Sequence, residues 1–386
     1  VLVVERENRL GGILKQCIHA GFGLQYFGEE LSGPEYAEKF AVKAKEAGIE
    51  FMLDTTALEI REQTLVCVNT QGILNIEFGA LVLAMGCRER TRANLMIPGS
   101  RAAGIFSAGT AQKLINIYGH KVGKEVVILG SGDIGMIMAR RMTLEGAEVL
   151  AVIELMDFLA GLTRNKVQCL DDFGIPLYLS HTITKIDGYQ RVKGIYFAQV
   201  DENKKPIKET EQYIECDTLL LSVGLLPENE LTRKAGIEIN PITNGPKVNQ
   251  YMQTSSEGVF ACGNVVHVND LVDNVSVESM KAGKFAAQYA MGTLPKTQKV
   301  VQNISGENVR YLCPHSLSVA EENEKVTLYF RVLRPELDVT IRVKAGDEII
   351  ATKKRQRVNP GEMENITFDT AKISGDNVVV EVVKEA

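Results

Sequence analysis

The chain opens on an apolar run, Val1-Leu2-Val3-Val4, closed by Glu5-Arg6, and the glycine pair Gly11-Gly12 follows. This reads as strand, turn and glycine loop. A helix is predicted from about Ser32. Ser32 and Glu35 form a capping box, Pro34 fits the first turn, and Tyr36, Phe40, Ala44 and Ala47 recur on one face before Gly48 ends it. Residues 64–69 and 73–78 alternate as two strands of a hairpin, and residues 80–85 form an apolar strand. Residues 124–154 read strand, glycine loop, helix, strand, and a further βαβ pattern runs to Leu177. A strand-rich excursion at 183–213 leads to a buried strand at 218–223, another at 258–262 and a helix at 276–291. From about Val301 strands such as 326–332, 339–343 and 378–383 alternate with no helices between them, which predicts a small antiparallel β domain.

A length of 386 residues suggests two or three domains. The 34 glycines suit α/β nucleotide-binding turns. With a net charge of −6, the densest basic run, Lys353-Lys354-Arg355-Gln356-Arg357, lies in an alternating segment. It reads as a solvated strand face, and no nucleic-acid partner is expected. No apolar stretch reaches the roughly 18 residues of a membrane span, and the first residues lack the basic lead of a signal peptide. A cytoplasmic protein is expected. The seven cysteines show no paired motif and read as reduced thiols, and the five dispersed histidines predict no metal site.

The most specific motif is the apolar strand before Gly130-Ser131-Gly132-Asp133-Ile134-Gly135, then a helix, then a second strand closed by Glu154. Gly130 allows a tight turn, Gly132 lets backbone approach a pyrophosphate, and Gly135 lets the helix pack against the sheet. The helix N-terminus supplies N–H groups and a partial positive charge. Glu154 can accept from a ribose 2′-OH and repels a 2′-phosphate, so NAD is expected over NADP.

Glu5 ends its strand as Glu154 does. In a dinucleotide fold such an acid follows strand one and its glycine loop by about 20 residues. The chain is therefore expected to lack an N-terminal strand and loop of roughly 25–30 residues. Downstream, Gly258-Val259-Phe260-Ala261-Cys262-Gly263-Asn264 is a strand ending in a glycine-polar pair ahead of a helix. Asn264 can reach ribityl or phosphate oxygens, and the helix dipole can face the flavin edge where charge develops on reduction.

These segments, with Leu83-Ala84-Met85-Gly86, and Leu221-Ser222-Val223-Gly224 with Pro227-Glu228, resemble the pyridine nucleotide-disulfide oxidoreductase superfamily over residues 1–295. The resemblance implies FAD and NAD(H) as cofactors. It implies cofactor-binding positions at Glu5, Arg6, Gly11, Gly12, Cys17, Ala84, Met85, Gly86, Val223, Gly224, Gly263 and Asn264, beside residues 130–135 and Glu154. The segment Gly104-Ile105-Phe106-Ser107-Ala108-Gly109-Thr110-Ala111-Gln112 resembles FAD subunits of hydrogen cyanide synthase and opine oxidase. Flavoproteins partnered with glycerol-3-phosphate or 2-hydroxyacid dehydrogenases are more similar still. That implies a partner flavoprotein or iron–sulfur protein.

The expected fold is α/β, with two Rossmann-like three-layer dinucleotide-binding domains and a small C-terminal antiparallel β-sandwich. FAD falls to residues 1–118 and 248–298, NAD to 119–247, and the β domain is 299–386. Three departures stand out: Asn264 replaces the family's Asp, the first glycine loop is absent, and only Cys17 follows Gly11-Gly12 where disulfide reductases carry two cysteines. Hydride transfer needs stacking and orientation, so no catalytic side chain is assigned. Cys17 and His19 could tune a flavin, accept electrons or simply pack. His267, Asn269, Asp270 and Asp273 form either a substrate or partner loop or a solvated one. Three functions stay open: an NAD(H)–flavin electron-transfer subunit, a self-contained disulfide reductase, and a flavin-binding structural subunit without turnover.

Overall fold

The computed structural model describes residues 1–384. It divides into two compact units, one of Val1–Lys15, His19–Cys87 and Pro227–Ala386, the other of Gln16–Ile18 and Arg88–Leu226.

In the second unit five parallel strands stand in the order Ile105–Ser107, Thr218–Leu221, Glu125–Leu129, Glu148–Ile153, Leu177–Tyr178. Side chains alternate across a pleated strand, and here both faces are covered. Val126, Ile128 and Leu220 pack with Ala108, Ala111, Met136 and Ala139 of the helices Ala108–Asn116 and Asp133–Leu144. Val127, Leu129, Leu219 and Leu221 turn the other way, onto Ile183, Ile195 and Phe197 of a three-stranded antiparallel sheet. The result is three layers, helices, parallel sheet and antiparallel sheet. The strand-rich excursion is the third layer.

In the first unit two short parallel ladders form, Leu2–Val4 with Glu50–Met52 and Leu81–Leu83 with Val259–Ala261. They share a core that includes Val4, Leu83, Val259 and Ala261. Helix Gly33–Glu46 starts at the predicted capping box: Ser32 N–H donates to Glu35 Oε2 at 2.8 Å and Glu35 N–H to Ser32 Oγ at 3.5 Å. The predicted hairpin gains a third antiparallel strand, Thr56–Arg61. Helix Val272–Ala290 begins four residues before the expected position at 276.

The C-terminal strands of this unit make a sandwich. Five strands (Ser316–Val319, Lys299–Ser305, Asn377–Lys384, Glu336–Ala345, Glu348–Val358) face three (Val309–Cys313, Lys325–Val332, Glu364–Asp369) over a core of Leu317, Leu328, Phe330, Ile341 and Val380. Pairing is antiparallel except between Lys299–Ser305 and Asn377–Lys384, which run parallel. Alternation fixes which residues face the core, not strand direction. Among the described residues no helix is long and apolar enough to cross a membrane.

The basic run is not simply solvated. Lys353 and Arg355 share one face of the strand Glu348–Val358 and reach the Glu364 carboxylate, which is 2 % exposed. Arg355 Nε lies 2.9 Å from Glu364 Oε1, and Lys353 Nζ donates to Asn365 O at 2.8 Å. Half of the run neutralises a buried acid. Arg355→Met strips most of that compensation and is expected to cost about 2 kcal/mol, read as a lower urea midpoint, with Arg355→Lys losing less.

Candidate functional site

In the second unit the motif residues converge where parallel strands end. Gly130 N–H donates to Ile153 O at 2.7 Å and Ser222 N–H to Leu129 O at 2.7 Å, so three neighbouring strands finish together. Gly130 has φ +102°, and a Cβ there would lie 2.0 Å from Ser222 O. At Gly135 a Cβ would meet Gly130 O at 2.6 Å and Ser222 Cβ at 2.8 Å. Nothing larger than glycine fits either position. Gly132, the N-cap of helix Asp133–Leu144, differs: a Cβ would meet nothing nearer than Ser222 Oγ at 3.7 Å. Its surface leaves room for a ligand to approach backbone, beside first-turn N–H groups that have no intrahelical acceptor. Val223 and Gly224 leave the sheet directly after Ser222, and Gly224 has φ +94°.

Glu154 is buried and sets the loop. Its Oε2 accepts from Ser131 N at 2.8 Å and Ser131 Oγ at 2.7 Å, while Oε1 accepts from Met156 N at 2.9 Å. Two lone pairs per oxygen leave capacity on Oε1 for one more donor. Asp133 Oδ1 accepts from Leu162 N at 2.8 Å and Asn165 Nδ2 at 2.7 Å, which draws the following loop over the helix start. Ile134, in the first turn, packs against the helix-side core.

Cys17 sits in the same unit within an amide network. Gln16 Nε2 donates to Gly109 O at 2.9 Å and Gln112 Oε1 at 3.0 Å, and Cys17 Sγ to Gln112 Oε1 at 3.7 Å. Burial pushes the Cys17 thiol up to about 11, so it stays protonated at neutral pH and is a poor nucleophile.

In the first unit the remaining positions cluster at two strand ends. Glu5 N–H donates to Met52 O at 2.9 Å, and Glu5 Oε1 accepts from Glu7 N at 2.9 Å, with Arg6 exposed beside it. Gly11 (φ +108°) would drive a Cβ to 2.7 Å from Lys15 Cε and 3.0 Å from Ala37 Cβ, whereas Gly12 (φ +51°) faces open space. Ala84, Met85 and Gly86 leave the Leu81–Leu83 strand next to Gly263 and Asn264, because Cys262 N–H donates to Leu83 O at 3.1 Å. Asn264 Nδ2 lies 3.6 Å from Cys87 Sγ, and Asn264 Oδ1 accepts from Asn269 N at 2.9 Å.

The loop after Asn264 is not solvated. His267 is buried, with Nε2 2.6 Å from Glu278 Oε1, and Glu278 Oε2 accepts from Gly263 N at 3.0 Å. Burial alone would lower the His267 pKa, but Cys313 and Glu278 outweigh it and hold it well above its ordinary value. Asp270 bonds Arg331, and Asp273 Oδ2 accepts from Gln25 N at 3.1 Å. Sequence reasoning singled out His267, Asp270 and Asp273 but not their partners Glu278 and Arg331. Arg331 lies 61 residues from Asp270, beyond the reach of any local pattern. Ser222, which backs Gly130 and Gly135, fell within the segment 221–224 of the family resemblance but was given no role, though its place one strand over from the glycine loop is a signal in principle.

Residues 13–293 match the family described as pyridine nucleotide-disulphide oxidoreductase. The chain is 28 % identical over 277 residues to an NADH oxidase of Methanocaldococcus jannaschii, covering 67 % of this chain and 58 % of that protein. It is 27 % identical over 271 residues to an NAD(P)H coenzyme A polysulfide/persulfide reductase of Pyrococcus horikoshii, covering 66 % and 56 %. Hydrogen cyanide synthase subunit HcnB of Pseudomonas protegens is 24 % identical over 291 residues, covering 68 % and 60 %. The chain thus spans less than two thirds of each of these relatives. Among solved structures, thioredoxin reductase of T. acidophilum superposes with a TM-score of 0.59 at 21 % identity, covering 76 % of this chain and 90 % of that one. That likeness shows the fold: α/β, of the two-domain Rossmann flavoprotein kind.

His315 gives a pH test of the buried network. Its Nδ1 accepts from Val248 N at 3.1 Å, and burial, then the nearby His267, lower its pKa from 6.5 to about 4. The unfolded imidazole takes a proton first, so this contribution is present above about pH 6.5 and is lost as pH falls towards about 4. His267, with a raised pKa, acts oppositely: its contribution is present below its unfolded value and lost as pH rises through the folded one. Comparison with His315→Gln separates the two. From about pH 7.5 to about pH 4.5, wild type is expected to lose on the order of 2 kcal/mol more unfolding free energy than the variant.

Proposed function

The chain belongs to the pyridine nucleotide-disulphide oxidoreductase family, enzymes that use FAD and NAD(P)H, and from that premise we propose that it passes a hydride between NAD(H) and FAD. The observation that carries this reading is the turn at residues 130–135, where two glycines are forced by contact with Ser222 and the third is left open beside a helix N-terminus. Such an open glycine is what a diphosphate requires. We assign NAD to residues 119–247, FAD to residues 1–118 and 248–298, and residues 299–386 to a C-terminal β domain.

The geometry supports the following roles. Gly132 and the first-turn amides from Asp133 to Gly135 bind the NAD diphosphate, and the spare lone pair on Glu154 Oε1 accepts from a ribose hydroxyl. A buried carboxylate repels a 2′-phosphate, which favours NAD over NADP. Ser131 orients Glu154, and Val223 and Gly224 border the turn. On the flavin side Glu5, Gly11 and Gly12 form one strand end, with Arg6 beside them, and Ala84, Met85, Gly86, Gly263 and Asn264 the other. When bound, FAD supplies the two-electron chemistry, and the protein supplies orientation and exclusion of water.

An electron-transfer subunit for a partner dehydrogenase, itself a flavoprotein or iron–sulfur protein, is the finer reading. The likeness to hydrogen cyanide synthase subunit HcnB supports it, whereas the NADH oxidase and persulfide reductase likenesses do not bear out the expected resemblance to flavoproteins of glycerol-3-phosphate or 2-hydroxyacid dehydrogenases and opine oxidase. A self-contained disulfide reductase is the second reading, favoured by the persulfide reductase likeness. The protonated Cys17 weighs against it. A cytoplasmic location suits seven cysteines that show no paired motif.

Anaerobic titration of the FAD-loaded chain with NADH separates these. Bleaching of the flavin is the expected result, thiols titrating without a flavin change favour the second reading, and an inert flavin leaves a subunit without turnover. Glu154→Gln is expected to weaken NADH binding about tenfold and to narrow the preference over NADPH, measured by calorimetric titration of each nucleotide. An unchanged NADH affinity would falsify the ribose role.

A further inference from the structure

The loop at residues 264–271 carries the Gly263–Asn264 turn into helix Val272–Ala290, and the C-terminal sandwich grips it. Arg331, on the strand Lys325–Val332, donates through Nη2 to Val268 O at 3.1 Å and to Asp270 Oδ1, and through Nη1 to Pro360 O at 3.1 Å. The other oxygen of Asp270 accepts from Met363 N at 2.6 Å. Arg331 and Asp270 side chains are only 14 % and 11 % exposed, so this pair is a largely desolvated one whose geometry matters. Tyr311 OH stands 3.5 Å from His267 Nδ1, a third tie from the sandwich to the same loop.

These ties converge on one residue. Arg331 fixes Val268 and Asp270, the two neighbours of Asn269. Asn269 N–H in turn donates to Asn264 Oδ1 at 2.9 Å. With Oδ1 accepting that bond, the Asn264 amide is oriented so that Nδ2 is turned toward Cys87 Sγ, 3.6 Å away. A planar guanidinium that spans three acceptors holds such a chain more rigidly than a point charge does.

We propose that Arg331 is a positioning residue for the flavin half-site, acting through Val268, Asp270 and Asn269 on the side chain of Asn264, so that the C-terminal sandwich is a working part of that site. This rests on the flavin assignment made above. It converts the sandwich from an appended domain into the second support of the cofactor turn, the first being Glu278 beneath Gly263.

The test compares Arg331→Met and Arg331→Lys with Phe330→Ala, the neighbouring position on the same strand, whose side chain is fully buried in the sandwich core. FAD affinity of the full chain is measured by fluorescence titration, amide exchange of residues 263–271 by mass spectrometry, and thermal midpoint alongside. Arg331→Met is expected to weaken FAD binding about tenfold or more and to speed exchange across the loop, with the strand Glu125–Leu129 unaffected. Arg331→Lys keeps the charge beside Asp270 and is expected to stay close to wild type in thermal midpoint while still losing affinity several-fold. Phe330→Ala is expected to lower the midpoint with little change in FAD affinity of the folded fraction. Wild-type FAD affinity in both arginine variants overturns the proposal, as does a loss of affinity that Phe330→Ala reproduces. A wild-type chain that takes up no FAD overturns the flavin assignment, and the proposal with it.

Discussion

A tight steric closure governs the unit of the five parallel strands: the backbone at Gly130 passes so close to Ser222 that a single added carbon would sit 2.0 Å from its carbonyl oxygen. Gly135 repeats the constraint from the helix side. Because both glycines touch the same residue of the neighbouring strand, the strand end, the turn and the helix start cannot move independently. The layers on either side follow, since Val126 and Ile128 must face the helices once Val127 and Leu129 face the antiparallel sheet. Only Gly132 is free of that closure, and freedom at that one point makes the turn a cradle and not merely a tight bend.

The other unit solves a similar problem with a charge. Gly263 has φ +69° and a Cβ there would lie 2.9 Å from Val275, so it too is confined to glycine. What fixes its direction is Glu278, one helical turn and more into Val272–Ala290, which accepts from the Gly263 amide and holds His267 with its second oxygen. Leaving that carboxylate half-paired in a buried setting would be costly, so the loop is held to the helix it precedes.

Much of this was legible in the residues, and the limit falls where contacts become distant. The capping box at Ser32 and Glu35, the hairpin, and the strand–loop–helix–strand unit closed by Glu154 all depend on spacing within a few tens of residues. The start of helix Val272–Ala290 was placed late because Leu271, its N-cap, makes no side-chain cap. The parallel pairing of Lys299–Ser305 with Asn377–Lys384 has no trace in alternation, which is blind to direction. Lys353 and Arg355 looked solvated because Glu364, the acid they serve, sits on another strand. His267 and Asp270 were left between a substrate or partner loop and a solvated one for the same reason: neither alternative allows for buried partners, Glu278 and Arg331, that stand on other elements.

Both candidate helix starts carry their own acid, Asp133 and Asp273, and this changes how they can hold an anion. Asp133 accepts from Leu162 N and Asn165 Nδ2, and Asp273 from Gln25 N. Each carboxylate is stabilised by the positive end of its helix and spends that interaction on tying down a bordering loop. Net positive potential at the helix start is correspondingly reduced. A diphosphate in such a site depends less on the macrodipole than on close approach to backbone N–H groups, which is available only where a side chain is missing. The open glycine and the internal acid are therefore complementary: one exposes the donors, and the other keeps the surrounding loops from moving when the donors are used.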